Sequence, residues 1–344
     1  MKGMYDLVTN NIIQVDIMGK YKVVITDQWF GSVDKQRKIL SEIDADLYEY
    51  QIRDEEEIIK AAHDCDALMF QYAKIPKSLI NRLEKCKVIA KFAKGIDSID
   101  IDACTSKNIC FTNVDDYCTD EVSTHALSLL LAVNRKLMNY NKSIRNGIWD
   151  YKLGGVIQSL KESKVGVISY GKIARAFVEK LKPLCNNIWV VDPFITDDVI
   201  KQSGVEPKTF EEIIQNCDYI SIHAPLTEET KHLFNKEVFK KMKNTASIIN
   251  VARGPLVNMD DLAWALHSGE IAYTAMDVLE IEPPPKDHPI LSCENIVLTP
   301  HSAWYSNLSE EIMITTPAEE IVRVLTGQKP KFLVNKELEK LFDK

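Results

Sequence analysis

The chain has 344 residues, of which 45% are hydrophobic and 27% are charged, and its length predicts about two domains. These fractions are typical of a globular protein and exclude a disordered, fibrous or collagen-like chain. Lys and Arg number 42 against 50 for Asp and Glu, and the formal charge of −8 argues against binding to nucleic acid or to an anionic membrane.

The first twenty residues show no clear periodicity and no continuous apolar segment, so we expect an N-terminal extension over residues 1–20 without a secretory signal. The longest strongly apolar run, Ala126 to Val133, falls far short of the roughly 20 residues that a membrane span needs. The eight cysteines include no C-x-x-C pair, which favours reduced thiols in the core over a disulfide framework. Together these features predict a cytoplasmic protein.

From Tyr21 onward, short β-branched runs alternate with segments of helical periodicity, which is typical of an α/β protein with parallel sheets. Charged stretches between the runs predict surface helices over Asp54–His63 and Pro76–Cys86. In the first third of the chain the runs predict four strands, at Tyr21–Asp27, Asp46–Tyr50, Ala67–Gln71 and Val88–Phe92.

A longer helix is predicted to begin near Thr119 or Asp120, since either residue can cap it, and to run to Arg135. After it, a second series of strands and helices begins at Lys164, and its six parallel strands predict a doubly wound sheet. A last amphipathic helix, Leu308 to Leu325, is too short for a domain and is expected to pack on the first one. The six strands are predicted at Val165–Ser169, Ile188–Asp192, Tyr219–His223, Ser247–Val251, Tyr273–Asp277 and Ile296–Thr299.

The first strand of the second series runs into Ser169–Ala174, where a dinucleotide fingerprint would lie. Gly171 is present where the backbone must approach the phosphates, and Ala174 is an accepted substitute where helix meets strand, but Ser169 replaces the first glycine. Asp192 follows Gly171 by 21 residues, close to the spacing of about 20 expected for the acidic residue that accepts from the ribose hydroxyls. Because a carboxylate there repels a 2′-phosphate, the pattern predicts NAD rather than NADP.

Three further segments follow later strands, where open α/β sheets place ligand-binding residues: Asn250–Gly254, Asp277–Pro283 and Thr299–Trp304. With these motifs the chain resembles the D-isomer-specific 2-hydroxyacid dehydrogenase family, from about Lys22 to Leu325. Within that family, two runs look most like the C-terminal-binding-protein branch, namely Asp116–Val122 and Thr299–Ser306.

The resemblance implies two Rossmann-like domains with doubly wound parallel sheets. A discontinuous substrate domain would comprise residues 21–120 and 302–330, and an NAD-binding domain over residues 121–301 would be inserted into it, with the active site in the cleft between them. The family is typically homodimeric through the cofactor domain, and the apolar stretch Ala126–Val133 is a candidate contributor to that interface.

The resemblance also places the family's catalytic arginine, glutamate and histidine on Arg253, Glu282 and His301. A guanidinium offers a planar fork for the carboxylate of a 2-keto acid, and the histidine would protonate the carbonyl oxygen as hydride arrives. Glu282 would favour the charged form of His301. Glu280 is the alternative to Glu282, but the family pattern puts the catalytic carboxylate immediately before the proline. Taken singly, each residue also fits an ordinary surface, loop or core position.

The cofactor implied is NAD, with Val251 and Ala252 along the nicotinamide ring and Asp277 on its carboxamide. The predicted cofactor-binding residues are Tyr170, Gly171, Lys172, Ile173, Asp192, His223, Ala224, Pro225, Val251, Ala252 and Asp277. His223 fits a packed residue at a strand end equally well. The remaining histidines form no visible ligand cluster, so no metal site is predicted.

The substrate implied is a small 2-keto or 2-hydroxy acid. The loop with Lys94 and Gly95 resembles the family loop whose amides hold the carboxylate, although Ala93 stands where glycine is usual. Tyr72 and Trp304 would flank the side chain of the substrate, unless Trp304 only packs the protein. The predicted substrate-binding residues are Tyr72, Lys94, Gly95, Arg253 and Trp304.

Three functions are compatible with this sequence. The first is a dehydrogenase of small D-2-hydroxy acids, and the second is an NAD(H)-responsive, corepressor-like module that binds a protein partner. The intact arginine, glutamate and histidine argue against the second. The third, phosphoglycerate oxidation, is disfavoured because members of that type tend to have an arginine in the segment that corresponds to Phe70–Ala73, where this chain has none. The sequence does not predict which 2-hydroxy acid is used.

Overall fold

The structure, a computed structural model, describes residues 19–343, so the predicted extension over residues 1–20 lies outside the described residues except for Gly19 and Lys20. The chain divides into two compact units. The first unit ends at Asp116 and resumes at Glu311, and the second unit runs from Tyr117 to Glu310. The roles assigned above to a substrate domain and an NAD-binding domain stay predictions.

The first unit contains a parallel sheet whose middle strands are buried on both faces. Its strands are β1 (Tyr21–Ile25), β2 (Ala45–Glu49), β3 (Ala67–Phe70), β4 (Val88–Lys91) and β5 (Cys110–Thr112). Its helices are α1 (Asp34–Leu40), α2 (Glu55–Ala62), α3 (Lys77–Asn81) and α4 (Ile101–Ser106). The strand order is β2-β1-β3-β4-β5, so the direction of the chain through the sheet reverses between β1 and β3.

The second unit contains a larger parallel sheet covered by helices. Its strands are β6 (Lys164–Ile168), β7 (Asn187–Val191), β8 (Glu206–Pro207), β9 (Tyr219–Ile222), β10 (Ser247–Asn250), β11 (Tyr273–Met276) and β12 (Ile296–Leu298). Its helices are α5 (Thr119–Asn134), α6 (Leu137–Arg145), α7 (Lys172–Leu181), α8 (Asp197–Gln202), α9 (Phe210–Asn216), α10 (Lys236–Phe239) and α11 (Met259–Ser268). The order is β12-β11-β10-β9-β6-β7-β8, which reverses between β6 and β9.

Helix α12 (Asn307–Leu325) follows, and from Glu311 onward it belongs to the first unit. There Gln36 donates a hydrogen bond to the Ile314 carbonyl (3.1 Å), and the Tyr21 hydroxyl donates to the Leu325 carbonyl (3.2 Å). The tail therefore adds to the unit that contains β1, as the sequence indicates.

The α/β prediction is confirmed, and all ten predicted strands are observed within two residues of their expected bounds. The sequence missed β5 and β8, which have only three and two residues. Helix α3 covers only the first part of the predicted Pro76–Cys86 stretch. All eight cysteines are free and buried, as predicted. Within residues 19–343, no helix has both the length and the apolar character that a membrane crossing requires.

Candidate active site

His301 and Glu282 form a hydrogen-bonded pair in the second unit. His301 follows β12 and Glu282 follows the neighbouring strand β11, so both lie beyond the carboxyl ends of parallel strands. The Nδ1 atom of His301 lies 2.7 Å from Oε2 of Glu282, and the second carboxylate oxygen accepts a hydrogen bond from the Leu279 amide (2.9 Å). With Nδ1 engaged, Nε2 is the ring nitrogen that can exchange a proton with a ligand.

Opposing influences act on the ionisation of Glu282. Burial raises its pKa most, but the hydrogen bond and charge of His301, the Leu279 amide and the positive charge of Arg253 together hold the pKa below its ordinary value. The carboxylate is therefore ionised at neutral pH, and it provides a fixed negative charge beside the imidazole.

The backbone around His301 is strained and held by a buried carboxylate. His301 has a φ of 53°, in the left-handed region that residues other than glycine rarely adopt. Its amide donates to the Asp277 carbonyl (2.8 Å), and the amides of Ser302 and Ala303 donate to the two oxygens of the Asp277 carboxylate (2.9 and 3.0 Å). The Thr299 hydroxyl donates to the same carboxylate (2.5 Å). These bonds compensate the strain and fix the turn that carries His301.

Arg253 lies in the loop after β10, and the backbone on both sides of it is braced. The buried side chain of Asn250 donates to the Arg253 carbonyl (2.9 Å) and accepts from the Ala252 amide (3.0 Å). A Cβ atom on Gly254 would lie 1.9 Å from the Leu279 carbonyl oxygen, so only glycine allows this loop to approach the segment that carries Glu282. Sequence reasoning missed Asn250 and Gly254 as positioning residues, although both belong to the motif quoted above.

Glu280, the alternative to Glu282, has a different partner. Its Oε1 atom lies 2.7 Å from Nε2 of His232, and its Oε2 atom accepts from the Met259 amide (3.4 Å). The structure therefore brings Glu282, not Glu280, to His301.

The turn after β6 is built around Asp192, which follows β7. Ser169 has a φ of 73°, the left-handed conformation for which glycine is usual, and its hydroxyl donates to Oδ2 of Asp192 (3.1 Å). The Tyr170 amide donates to the same oxygen (2.7 Å), and the Phe194 amide donates to Oδ1 (2.8 Å). The residue that departs from the fingerprint thus binds the carboxylate predicted to recognise ribose.

Gly171 leaves open space at the start of α7. It is the N-cap residue of that helix, no side chain caps the first turn, and a Cβ atom built on it meets nothing within 4 Å. The amides of Lys172 and Ile173 lie in this first turn, where a helix N-terminus favours an anion. Tyr170, by contrast, is only 1% exposed, and its amide donates to Asp192.

Across the point where the strand order reverses, His223 follows β9. Its Nε2 atom lies 2.9 Å from the Ser221 hydroxyl, and its buried Nδ1 atom has no hydrogen-bond partner among residues 19–343. Burial lowers the pKa of His223 to about 3, so the ring is neutral. An unpaired buried nitrogen opposite an open helix N-terminus fits a dinucleotide. The other predicted cofactor-binding residues also lie just beyond the carboxyl ends of strands in this sheet: Ala224, Pro225, Val251, Ala252 and Asp277.

The predicted substrate-binding residues outside the turn at His301 have partners of their own. Lys94, next to Gly95, forms an ion pair with Asp115 (3.1 Å). Trp304 packs against Tyr117, with ring centroids 6.2 Å apart. Tyr72 is 53% exposed. In the part of the chain that the structure describes, no group of three or more His, Cys, Asp or Glu residues could hold a metal ion.

An arginine that sequence reasoning missed lies against Tyr72. The Arg53 guanidinium is 4.9 Å from the centre of the Tyr72 ring. The segment 70–73 itself contains no arginine, as noted above, but the fold supplies one from the loop after β2. The strand order β2-β1-β3 was the signal that would have linked the two positions.

Comparisons with known proteins agree with this geometry. Residues 127–303 match the family model described as D-isomer specific 2-hydroxyacid dehydrogenase, NAD binding domain. A glyoxylate reductase of Thermofilum pendens is 36% identical over 295 residues, which cover 83% of this chain and 86% of the reductase. A D-3-phosphoglycerate dehydrogenase of Methanocaldococcus jannaschii is 35% identical over 282 residues, which cover 81% of this chain but only 53% of that enzyme. The solved structure of a Thermus thermophilus protein named TT0316 has a TM-score of 0.79 at 26% identity, and the match covers 91% of this chain and 99% of that one.

Proposed function

Because the chain belongs to the D-isomer specific 2-hydroxyacid dehydrogenase family, we propose that it is an NAD-dependent oxidoreductase that interconverts a small D-2-hydroxy acid and its 2-keto acid. The chain carries the family's NAD-binding domain, and its relatives include enzymes named for glyoxylate reduction. The single observation that carries the proposal is the 2.7 Å pair of His301 and Glu282, with Arg253 close enough for its charge to lower the pKa of Glu282.

In the proposed reaction His301 is the acid–base residue. With Nδ1 on the ionised Glu282, its Nε2 atom donates a proton to the carbonyl oxygen of the keto acid, or removes one from the hydroxyl of the hydroxy acid. When bound, NAD supplies or accepts the hydride. Asp277 and the turn it braces keep the imidazole in place during this transfer.

Arg253 is proposed to anchor the substrate. Its guanidinium can bind a carboxylate through two parallel hydrogen bonds and polarise the neighbouring carbonyl. The brace of Asn250 and the close approach at Gly254 support this role, since they fix Arg253 relative to the segment of Glu282. Tyr72, Lys94, Gly95 and Trp304 stay proposed substrate contacts.

For the cofactor we propose NAD over NADP. Asp192 presents a carboxylate whose two oxygens are held by Ser169 and by the amides of Tyr170 and Phe194, and this fixed negative charge disfavours a 2′-phosphate. Gly171, Lys172 and Ile173 would bind the pyrophosphate, and His223, Ala224 and Pro225 the adenine side. Val251, Ala252 and Asp277 would bind the nicotinamide.

The proposed relation to the C-terminal-binding-protein branch rests on two runs that contact each other in the second unit. Tyr117 of the first run packs on Trp304 of the second, and the Ser306 hydroxyl donates to Glu121 (2.7 Å). A corepressor-like function is disfavoured, because a module that only senses NAD(H) needs no acid–base pair with an anion anchor. The free, buried cysteines favour a reducing compartment such as the cytoplasm.

We also propose a homodimer. Within the stretch Ala126–Val133, four residues are buried in their own unit, whereas Leu127, Leu131 and Ala132 are only half-buried and stay candidates for the interface. A group of exposed apolar side chains follows this stretch, at Leu137, Met138, Ile144, Ile148, Trp149, Tyr151, Leu153 and Val156. An apolar surface of this kind is typical of an interaction site. Trp149→Glu is expected to shift the protein toward monomer in sedimentation velocity, whereas Phe194→Glu, at another exposed aromatic residue, leaves it unchanged.

The proposed activity is tested by following NADH absorbance with a panel of 2-keto acids. His301→Ala is expected to lower turnover by roughly 10² to 10⁴, the usual contribution of a positioned acid, without changing NADH binding in calorimetry. His63→Ala, at an exposed histidine of the first unit, is the control and should match the wild type. Turnover of His301→Ala at the wild-type rate would overturn the assignment.

A further inference from the structure

His232 and Glu280 form a second histidine–glutamate pair, in the same unit as His301 and Glu282. Nε2 of His232 lies 2.7 Å from Oε1 of Glu280, and it can donate to the carboxylate from the neutral or the charged ring. The two side chains are only 33% and 28% exposed, so solvent screens this pair less than an ion pair on the surface. The pair is therefore a defined contact to which the proposed reaction assigns no role.

The backbone at His232 is held in an uncommon conformation. Its φ of 53° lies in the left-handed region. The His232 amide donates to the Pro255 carbonyl (2.8 Å), and the side-chain amide of Asn235 donates to the His232 carbonyl (3.0 Å). The Phe234 amide donates to the Leu256 carbonyl (3.0 Å). These bonds fasten the segment that carries His232 along the loop after β10.

Glu280 connects the segment after β11 to two other parts of the same unit. Its Oε2 atom accepts from the amide of Met259 (3.4 Å), in the first turn of α11. The backbone of Leu279 and Glu280 also packs so closely on Gly254 that a Cβ atom has no room there. The loop after β10, helix α11 and the segment after β11 therefore meet at the carboxylate of Glu280 and its histidine partner.

The orientation of Glu282 depends on the same segment. The Leu279 amide donates to Oε1 of Glu282 (2.9 Å), while Oε2 lies 2.7 Å from Nδ1 of His301. The side chain of Glu282 is 38% exposed, so these hydrogen bonds, rather than packing alone, fix its direction. Glu280 lies in the chain between Leu279 and Glu282. A displacement of Glu280 would therefore move the carboxylate that faces the imidazole.

We propose that His232 and Glu280 are positioning residues, whose pair holds the segment 279–282 so that Glu282 stays on His301 during proton transfer. This inference rests on the proposed function, since it takes His301 as the acid–base residue. Arg253 has a separate brace in Asn250. Loss of the pair should therefore impair proton transfer more than it impairs binding of the keto acid.

The test uses Glu280→Ala and His232→Asn in the NADH assay, with the 2-keto acid that the wild type reduces fastest. Because asparagine tolerates the left-handed region, His232→Asn removes the ring without adding backbone strain. In both variants kcat should fall on the order of 10-fold, the effect of a misplaced catalytic group, while KM changes less than about 3-fold. The reductive rate should also decline at a pH lower by about 0.5 to 1 unit, because the charged form of His301 loses part of its partner.

Two comparisons separate this role from general stabilisation. Glu280→Gln keeps an acceptor oxygen for His232, so it should lose less turnover than Glu280→Ala. The double variant of His232→Asn and Glu280→Ala should be no slower than the slower single variant, because both changes remove one interaction. The matched control is Asp260→Ala, which breaks another histidine–carboxylate pair at the start of α11, with His288 (3.1 Å), and should match the wild type.

Three results would overturn the inference. The first is a wild-type kcat and pH dependence in both single variants, and the second is a lower kcat with an unshifted pH dependence, which leaves the pair a purely structural contact. The third is a double variant whose losses multiply, since His232 and Glu280 would then act independently. If the wild type itself reduces no 2-keto acid, the proposed function fails and this inference fails with it, a result that no variant is needed to recognise.

Discussion

Asp27 in the first unit and Asp277 in the second unit are buried carboxylates that follow parallel strands and bind the backbone of a neighbouring loop. Asp27 accepts from the amides of residues 71–73, and Asp277 accepts from those of residues 302–303. In both places, groups of the loop that would otherwise lie unpaired inside the protein are satisfied by one side chain.

The two carboxylates differ in their remaining partners. Each carboxylate also accepts from a threonine hydroxyl, Asp27 from Thr26 and Asp277 from Thr299. Asp27 in addition forms an ion pair with Arg53, whereas the other side chain near Asp277 is the imidazole of His125, at 3.6 Å. The same device holds an arginine in one place and His301, the proposed acid–base residue, in the other.

Asp277→Ala should have the largest effect. Removing the buried carboxylate leaves the amides of Ser302 and Ala303 without an acceptor, at a cost of about 2–5 kcal/mol in the free energy of unfolding. Turnover should also fall on the order of 10², because the turn that carries His301 moves. Urea unfolding and the NADH assay measure the two effects.

Asp27→Ala is the matched comparison. It should cost a similar amount of stability, since three amides lose their acceptor, but leave the pH dependence of turnover unchanged. If Asp277→Ala also leaves that pH dependence unchanged, the two carboxylates do the same work and the comparison fails.

Glu282→Gln tests the site in the second unit through the pH dependence of protein stability. The pKa of Glu282 is lowered in the folded protein, so its ionised form contributes stability above its ordinary pKa of 4.5, and this contribution is lost as the pH falls through the folded value. The difference in unfolding free energy between wild type and variant should therefore shrink as the pH falls below about 4.5. A difference that grows on acidification would contradict the assignment.

Substitutions of Ser169 are expected to have the smallest effects on stability and NADH affinity. Two variants separate the backbone strain from the hydrogen bond. Ser169→Gly removes the left-handed strain but loses the same hydrogen bond and makes the unfolded chain more flexible, so stability should stay within about 1 kcal/mol of the wild type. Because the variant frees a lone pair of Asp192 for the ribose, NADH affinity should be equal or a few-fold tighter. Ser169→Ala keeps the strain and loses the hydrogen bond, so its stability should fall. Denaturant unfolding and calorimetry with NADH measure both, and a tenfold loss of affinity in Ser169→Gly would mean that the hydroxyl contacts the cofactor.

The strands could be predicted because β-branched runs end at charged or glycine-rich turns. The three candidate catalytic residues could be predicted because Arg253, Glu282 and His301 each belong to a recognisable motif after a strand. What could not be predicted depends on the order of strands in space. Arg53 and Tyr72 are separated by 19 residues and an entire helix, and only the order β2-β1-β3 brings them together.

Helix α5 illustrates what an apolar sequence pattern cannot predict. In the stretch Ala126–Val133, which is a candidate for an interface, four apolar residues fill the core of their own unit and the other three are only half-buried. A sequence pattern records that a face is buried, not whether the surface that covers it comes from the same chain. Likewise, the φ of Ser169 follows from the turn after β6 and overrides the preference of serine.

Because all eight cysteines are buried, the labelling of their thiols can measure local unfolding of the protein. The thiolate is the form that reacts with alkylating reagents, and burial raises the pKa of Cys104 in the first unit and Cys217 in the second to about 12. Labelling at either thiol therefore waits for the surrounding core to unfold, and its rate under native conditions follows the free energy of that opening. Mass spectrometry of the two labelled peptides would thus measure the local stability of each unit separately, without any introduced probe.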